Sequence, residues 1–278
     1  MVKPAVPEEE REFAFSDREF RFLAELANKK TGIQLPPQKR DMVYSRLTRR
    51  LRALKLTSFA QYCDLVSGPA GEEEMGHLVN AITTNLTHFF REGHHFEHLR
   101  DYVLQPLIKG GSRKLRIWSA GCSSGMEPYS IAMTVKHTLK DVAAWDAKIL
   151  ATDIDTNMLA RGQKGEYTAD EYGSIPAEYR ADVSKNGDVM QMSDALRRLI
   201  AFNHLNLLEH WPMKGMFDAI FCRNVVIYFD KATQEKLFAR MAKHLSPQGF
   251  LYIGHSENIT KICPQFELIG RTIYRHAR

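Results

Sequence analysis

The chain has 278 residues, which allows one large domain or two modest ones; its 44% hydrophobic residues suffice for a substantial core, and its 26% charged residues are typical of a soluble protein. The N-terminus, MVKPAVPEEERE, has no apolar core, and no run reaches the roughly 20 apolar residues of a membrane span. The four cysteines form no Cys-x-x-Cys pair, which argues against a zinc site or a disulfide framework, so we expect a cytosolic protein.

Residues 1–82 predict an all-helical N-terminal domain with short loops. Ser16 and Glu19 have the spacing of a capping box at the start of the first helix, and Gly32 ends that helix. Ser58 and Gln61 repeat the capping-box spacing at a later helix start. The three further helices are predicted from about Pro36-Pro37, over 58–66 and over 72–83.

The second helix carries an excess of basic residues. Arg46, Arg49 and Arg50 share one flank, and Asp41 is the only acid between residues 36 and 55. One interpretation is a solvated helix face, although mixed charges would solvate a helix equally well. The other is a binding face for an acidic protein partner. The net charge of +5 also leaves nucleic acid and anionic surfaces open as partners at this point.

The segment 83–93 is predicted to link the helical domain to the rest of the chain. It carries Asn85, Thr87 and Arg91 among bulky apolar residues. Polar groups in such surroundings need hydrogen-bond partners, and a ligand at the domain junction would supply them.

A helix is predicted after this segment, from apolar residues at Phe96, Leu99, Val103 and Leu107. His94 and His98 lie four residues apart on it and could in principle hold a metal. Because no acid or third histidine has matching spacing, we predict surface residues there and no metal site.

Residues 115–155 have the order strand, small-residue turn, helix, strand. The turn, AGCSSG at 120–125, follows a buried strand, and the second apolar run ends at Asp153. This order is the βαβ pattern of a nucleotide-binding fold. Glycine lets the backbone approach a ligand closely, and an acid that ends the second strand can accept both hydroxyls of a ribose.

The class of cofactor depends on the turn. It lacks the Gly-x-Gly-x-x-Gly spacing of a pyrophosphate site, and Glu127 lies in the first helical turn after it. A carboxylate there would repel a pyrophosphate, yet it could receive the ammonium group of an amino acid. Ribose plus amino acid without phosphate describes S-adenosylmethionine. An ordinary α/β domain with a small-residue turn is the alternative.

Residues 166–200 interrupt the alternation and predict a small inserted subdomain, with a hairpin around Asn186-Gly187-Asp188. A later helix, over 233–245, is predicted to stop at Ser246-Pro247. The remaining strands are predicted over 199–206, 217–222, 250–254 and, as two short ones, 266–274. Ligands of open α/β sheets bind at the carboxyl ends of strands, where this chain has Gly121, Asp153, Asn206, Cys222 and Arg223.

Six long motifs occur between Thr84 and Asn258. They are TNLTHFFRE at 84–92, EPYS at 127–130, DIDT at 153–156, FDAIFCRN at 217–224, IYFD at 227–230 and GHSEN at 254–258. With these motifs, in this order, the chain resembles the chemotaxis receptor methyltransferases, the CheR family. The resemblance covers nearly the whole chain. Met126 departs from it, because the family usually has a glutamate or similar polar residue there, but Glu127 itself is kept.

The resemblance implies an enzyme that transfers a methyl group from S-adenosylmethionine to glutamate side chains of chemoreceptor cytoplasmic helices, leaving S-adenosylhomocysteine. It implies an α/β fold: a Rossmann-like S-adenosylmethionine-dependent methyltransferase sheet over 94–278, with a small inserted β subdomain, preceded by an all-α N-terminal bundle. The expected partners are chemoreceptor cytoplasmic helical domains and a regulatory adaptor protein, with no nucleic acid and no membrane insertion. In some members the inserted subdomain holds a receptor's C-terminal pentapeptide.

The resemblance also implies roles for residues. The basic helix, with Arg46, Arg49 and Arg50, is assigned to receptor contact, and Tyr228 matches a tyrosine near the methyl-transfer site. The residues expected to bind the cofactor are Asn85, Thr87, Arg91, Glu127, Asp153, Asn206, Leu207, Cys222 and Arg223, with Gly121 added from its strand-end position.

A sulfonium methyl is already activated, and a glutamate with a pKa of about 4.3 is ionised at neutral pH, so no general base is required. Arg91 and Tyr228 are the candidates for orienting the substrate carboxylate. Three alternatives stay open. A nucleic-acid methyltransferase would need a stacking platform or an Asn-Pro-Pro-Tyr-type motif, which we do not find. A small-molecule methyltransferase would leave the basic helix unexplained, and a non-catalytic module would bind the cofactor without transferring methyl groups.

Overall fold

The computed structural model describes residues 11–69 and 71–277 of the chain. The chain divides between Thr84 and Asn85 into two compact units. The segment 85–93, expected as part of a linker, therefore belongs to the second unit. Within the described residues, no helix is both long and apolar enough to cross a membrane.

The first unit is built from helices. In its described part these are α1 (Asp17–Thr31), α2 (Arg40–Leu54), α3 (Phe59–Ser67) and α4 (Gly71–Ile82), with a short 3₁₀ turn at Pro37–Lys39 before α2. Their apolar faces bury one shared core, which includes Leu23, Val43, Leu47, Leu51, Phe59, Tyr62 and Leu78. This arrangement confirms the predicted all-α N-terminal bundle.

The helix caps explain where two of these helices begin. Ser16 and Glu19 form the predicted capping box, with each side chain accepting the other's backbone N–H. At α3 the Ser58 side chain accepts the Gln61 N–H, but the Gln61 side chain accepts the N–H of Thr57 instead of Ser58. The capping box predicted at Ser58 is thus only half formed.

The second unit contains a seven-stranded sheet and a three-stranded sheet in the described chain. The strands are β1 (Lys114–Ala120), β2 (Asp146–Asp153), β3 (Glu166–Thr168), β4 (Val183–Asn186), β5 (Val189–Met192), β6 (Ile200–His204), β7 (Phe217–Cys222), β8 (Leu245–Ile253), β9 (Phe266–Gly270) and β10 (Ile273–His276). The helices are α5 (His94–His98), α6 (Gln105–Lys109), α7 (Met126–Leu139), α8 (Thr156–Lys164), α9 (Asp194–Arg197) and α10 (Lys231–His244), with a π-helical turn at Leu99–Leu104 between α5 and α6.

The large sheet has the strand order β6-β2-β1-β7-β8-β10-β9. Its first five strands are parallel, and β10 and β9 pair antiparallel at one edge. Strand β7 is apolar on both faces because each face is covered: Ala219 and Phe221 join one buried cluster, and Ile220 and Cys222 join another. The predicted α/β sheet is confirmed.

The small sheet, in the order β3-β5-β4, forms the inserted subdomain predicted for 166–200. Asn186 pairs with Val189, so Gly187 and Asp188 make a two-residue hairpin turn, with Gly187 at a φ of 60°. Helix α10 ends at His244, before Ser246-Pro247 as predicted, but β8 starts earlier than the predicted residue 250, so that Ser246 and Pro247 lie inside it. The register with β7 shifts there, which lets a proline sit in the strand without interrupting a regular ladder.

Candidate functional site

The carboxyl edge of the parallel strands brings together the small-residue turn after β1 and the acid that ends β2. The N–H groups of Gly121 and Cys122 both donate to the Thr152 carbonyl, at 2.8 and 2.9 Å. One residue further along, the Ser123 N–H donates to Oδ2 of Asp153 at 2.7 Å. The turn is therefore fixed against the end of β2 by three backbone N–H groups.

Asp153 is a buried carboxylate with room for further hydrogen bonds. Its Oδ1 accepts the N–H of Asp155 at 2.9 Å, while its Oδ2 accepts that of Ser123. Burial raises the pKa of Asp153, and these backbone hydrogen bonds oppose the rise. Because each carboxylate oxygen has two acceptor lone pairs, the carboxylate keeps capacity to accept a ligand hydroxyl.

Gly121 is required by its conformation and by its surroundings. Its φ is +83°, and a Cβ at this position would lie 2.3 Å from Cγ2 of Val225, in the loop after β7. A side chain here would both strain the backbone and displace that loop.

Glu127 and Arg223 form the charged centre of the site. Glu127 Oε1 accepts the Ser119 hydroxyl at 2.7 Å, and Glu127 Oε2 lies 3.2 Å from Nη1 of Arg223. The two side chains are only 13% and 2% exposed. Burial raises the pKa of Glu127, and the Arg223 guanidinium opposes the rise.

Arg223 is held from a second side by the segment after residue 85. Its Nη2 donates to the Arg91 carbonyl and lies 3.6 Å from Oε2 of Glu92. Its Nε is buried and has no hydrogen-bond partner among the described residues. A buried acid and a buried guanidinium, side by side, match the ammonium and carboxylate ends of an amino acid.

The polar residues of the predicted linker lie at the same edge of the sheet. Asn85 Nδ2 donates to Oδ2 of Asp155 at 2.7 Å, and the Asn85 carbonyl accepts the Ser123 hydroxyl at 3.3 Å. Arg91 Nη1 donates to the Leu86 carbonyl at 3.0 Å. Thr87, between them, is partly exposed.

The ends of β6 and β7 carry the remaining predicted site residues. Asn206 and Leu207 follow β6 and are buried, and the neighbouring Leu205 N–H donates to the Asp153 carbonyl at 3.0 Å. Cys222 ends β7 and is fully buried, directly before Arg223. Tyr228 ends a 3₁₀ turn in the loop that follows β7, and its side chain is partly exposed.

The three arginines of α2 belong to the first unit, and the exposed flank predicted for them is wrong for two of the three. Arg50 binds Glu74 through two nitrogens, with closest distances of 2.7 Å, and Glu74 is 4% exposed. Arg46 Nη1 donates to the Ala81 carbonyl at 3.1 Å. Arg49 alone of the three is exposed. The fold of the bundle uses Arg46 and Arg50, which the spacing along α2 could not show.

Sequence reasoning placed His94 and His98 on the surface; both are only partly exposed, and His95 was not considered. His98 is partly buried and its Nδ1 lies 3.0 Å from the Tyr252 hydroxyl, while His95 is fully buried. Glu92, His94 and His95 bring three potential metal ligands within 4.8 Å of one another. The Arg223 guanidinium already supplies a cation to Glu92, so this geometry does not favour a metal ion.

Comparison with known proteins identifies the family. Residues 18–83 match the CheR methyltransferase all-alpha domain, and residues 85–275 match the CheR methyltransferase SAM binding domain. The chain belongs to the CheR methyltransferase family. It is an S-adenosylmethionine-dependent methyltransferase, so the predicted family, cofactor and enzyme class are confirmed, and an ordinary α/β domain is excluded.

Individual relatives align along most of their length. A probable chemotaxis protein methyltransferase of Rhizobium etli is 47% identical over 254 residues, covering 88% of this chain and 94% of the relative. Chemotaxis protein methyltransferase 2 of Pseudomonas aeruginosa is 42% identical and covers 96% of each chain. The chemotaxis protein methyltransferase of Escherichia coli is 40% identical, and the alignment covers 94% of this chain and 91% of the relative.

Two acids of this CheR chain were missed as site residues by sequence reasoning. Glu92 contacts Arg223, and Glu257 accepts backbone N–H groups from the loop after β7. Both lie in motifs that carried the family resemblance, TNLTHFFRE and GHSEN, but nothing local to either motif indicates which partner the carboxylate has.

Proposed function

We propose that this CheR chain transfers the methyl group of S-adenosylmethionine to glutamate side-chain carboxylates of chemoreceptor cytoplasmic domains, giving glutamate methyl esters. The observation that carries the proposal is the buried Glu127–Arg223 pair, which lies with the buried Asp153 at the carboxyl edge of a methyltransferase sheet. The relatives' names, chemotaxis protein methyltransferases, support the choice of substrate. The site of action is then the cytoplasm.

The site residues fit this cofactor in two parts. Glu127 receives the ammonium group of the methionine moiety, and Arg223 receives its carboxylate. The carboxylate would accept a hydrogen bond from Nε of Arg223, which has no partner among the described residues. Asp153 accepts the ribose hydroxyls. The other proposed cofactor contacts are Asn85, Thr87, Arg91, Gly121, Asn206, Leu207 and Cys222.

When bound, S-adenosylmethionine supplies a methyl group on a sulfonium, which is already activated for displacement. The chain therefore has to align the substrate carboxylate and partly desolvate it. Arg91 and Tyr228, both partly exposed, are our candidates for donating hydrogen bonds to the carboxylate oxygens. Because charge is neutralised as the carboxylate attacks the sulfonium, a strong grip on the carboxylate would slow the transfer. Positioning is thus their proposed role.

We assign receptor capture to the basic face of α2. Arg49 is its exposed member on the flank with Arg46 and Arg50; Arg46 is partly buried, and the charge of Arg50 is neutralised by Glu74. A cationic face raises the encounter rate with an acidic receptor helix and orients it. A regulatory adaptor protein and a pentapeptide site on the inserted subdomain stay predictions.

The decisive experiment is methylation of receptors with labelled cofactor. The purified chain is incubated with S-adenosylmethionine labelled in the methyl group and with receptor-containing membranes. We expect label in the receptor that base releases as methanol, because a carboxyl methyl ester hydrolyses and an N-methyl group does not. A matched receptor with its methylated glutamates replaced by alanine is the control. Cofactor binding without incorporation into any receptor would instead identify a non-catalytic module.

A further inference from the structure

The loop between β7 and α10 is organised around one carboxylate from another part of the chain. Glu257, which follows β8, accepts the backbone N–H groups of Asn224 at 2.8 Å, Val226 at 3.0 Å and Gly254 at 2.6 Å. Its side chain is 5% exposed. The loop 223–228 and the loop after β8 are thus joined at a single buried acid.

The backbone of this loop turns sharply at Asn224. Asn224 has a φ of 58°, in the left-handed region, so the chain turns sharply directly after Arg223. The turn directs the N–H groups of Asn224 and Val226 toward the carboxylate of Glu257. Burial raises the pKa of Glu257, and the backbone hydrogen bonds oppose the rise.

Close packing of the two loops supports a specific fit. A Cβ on Gly254 would lie 2.3 Å from Nδ2 of Asn224 and 2.9 Å from its backbone nitrogen. Glycine at 254 therefore lets the backbone after β8 come close enough for Glu257 to reach its partners.

The two functional ends of the loop depend on Glu257 to different extents. Arg223 is anchored independently, by Glu127, by Glu92 and by the Arg91 carbonyl. For Tyr228, the hydrogen bond found among the described residues is a weak one from its N–H to the Val225 carbonyl, at 3.3 Å. Gln234 also holds this end, because its Nε2 donates to the Val226 and Phe229 carbonyls at 2.9 and 3.0 Å. Loss of the Glu257 contacts would leave the Tyr228 end with neutral hydrogen bonds only, while the Arg223 end keeps its ion pairs.

We propose that Glu257 is a positioning residue for methyl transfer, which holds the loop 223–228 so that Tyr228 faces the substrate carboxylate. It does not touch the substrate or the cofactor, and it acts through the backbone N–H groups of the loop. The inference rests on the proposed function, because it assumes that Tyr228 orients the receptor glutamate.

The test compares Glu257→Gln, which keeps the shape but turns an N–H₂ group toward N–H donors, with Glu257→Asp, which keeps the charge. Asp218→Asn is the matched control. Asp218 lies near the start of β7, far from the strand's carboxyl end, and its carboxylate accepts the Arg116 N–H at 2.8 Å. Burial raises the pKa of Asp218 as it does that of Glu257. The measurements are thermal melts, S-adenosylhomocysteine affinity, kcat and KM for receptor methylation, and hydrogen exchange of residues 223–229.

We expect Glu257→Gln to lower kcat by about 10- to 100-fold, because small misplacements of a positioning group have effects of this size. Affinity for S-adenosylhomocysteine should change much less, and Glu257→Asp should recover part of kcat. Asp218→Asn should lower the melting temperature and leave kcat unchanged. In a double-mutant cycle, Glu257→Gln should have little further effect on kcat once Tyr228→Phe is present.

Two results would overturn the inference. If residues 223–229 exchange hydrogen at the same rate in Glu257→Gln as in the wild type, the carboxylate does not hold the loop. This conclusion holds whether or not the activity changes. Additive effects of Glu257→Gln and Tyr228→Phe on kcat would show that it does not act through Tyr228. If the wild-type chain methylates no receptor, the proposed function fails by itself, and the exchange measurement still decides the structural part. If Glu257→Gln does not fold, Glu257→Asp is carried through the same measurements.

Discussion

Oε2 of Glu127 lies 3.2 Å from Nη1 of Arg223, and the two charged groups share a pocket in which each is nearly inaccessible to solvent. An ion pair at such a depth costs desolvation free energy that its mutual attraction rarely exceeds. Ser119, Glu92 and the Arg91 carbonyl offset part of this cost. We interpret the pair as a preformed site for a zwitterion, the amino-acid end of the cofactor.

Glu127→Gln should weaken binding of S-adenosylhomocysteine by about 1.5–3 kcal/mol, since the ammonium group loses a charged acceptor. Calorimetric titration measures this loss. Methylthioadenosine, which has the ribose and base but no amino acid, provides the ligand control and should bind the variant and the wild type equally. An equal loss for both ligands would mean that Glu127 supports the fold of the pocket and does not receive the ammonium group.

Asp153→Asn should weaken both ligands, because both carry the ribose. We expect a loss of about 1–3 kcal/mol, with one acceptor oxygen replaced by a donor. A 2′-deoxy analogue should be affected less than the parent compound, since it has one hydroxyl fewer for the carboxylate to accept. Asp153 also accepts the N–H groups of Ser123 and Asp155, so thermal melts must accompany the titrations. Equal effects on the parent compound and the deoxy analogue would place the ribose elsewhere.

The parts of this fold that follow local rules could be predicted from the sequence. The capping box of α1, the hairpin turn at Gly187-Asp188 and the alternation of strands and helices each depend on residues a few positions apart. The strand-end rule led from single residues to one site because parallel strands end at the same edge. Pro247 shows the limit of such rules: the helix ends before it, as predicted, but a shift of register between β7 and β8 also admits this proline into a strand.

Contacts between distant parts of the chain could not be predicted from the sequence. Arg50 pairs with Glu74 on a different helix, and its position on α2 is compatible equally with an exposed basic face. Glu257 likewise finds its partners in a loop that precedes it by about 30 residues. In both cases the sequence shows a charge but not the group that neutralises or uses it.

His98 should make the chain less stable in mild acid. Burial lowers the pKa of His98 to about 4 and that of His95 to about 2, from an ordinary value of 6.5. Below pH 6.5 the unfolded chain binds protons at both positions and the folded chain does not. The stability contributed by these neutral histidines is therefore complete above pH 6.5 and falls as the pH drops toward 4, by roughly 1.4 kcal/mol per pH unit for each proton.

Denaturant titrations between pH 7 and pH 4 measure this effect. His98→Gln should reduce the slope of unfolding free energy against pH by about one proton, while His95 keeps its own contribution. The exposed His210, replaced by glutamine, is the control and should leave the slope unchanged. Buried carboxyls contribute equally to all three proteins, so the comparison cancels them. Identical slopes for His98→Gln and the wild type would contradict the buried position of His98.

The basic face of α2 is best tested at Arg49, because its side chain is exposed. The charge of Arg50 cannot be reversed without disturbing the fold. Arg50→Glu would leave the buried Glu74 without its partner and place a second negative charge beside it, which should destabilise the bundle by about 3 kcal/mol or more. Arg49→Glu should leave the melting temperature and the S-adenosylhomocysteine affinity unchanged. It should raise the KM for the receptor severalfold at low salt, and the difference from wild type should shrink as salt screens exposed charges.

Arg18→Glu provides the matched control, because Arg18 is an exposed arginine on α1 of the same bundle and undergoes the same change of charge. If both variants raise KM equally, receptor binding depends on the overall charge of the chain and not on a specific contact with α2. If Arg49→Glu methylates receptors like the wild type at low salt, the basic face is a solvated helix surface. Receptor contact would then have to be sought elsewhere, first at the β4–β5 hairpin of the inserted subdomain, whose turn at Gly187-Asp188 is exposed.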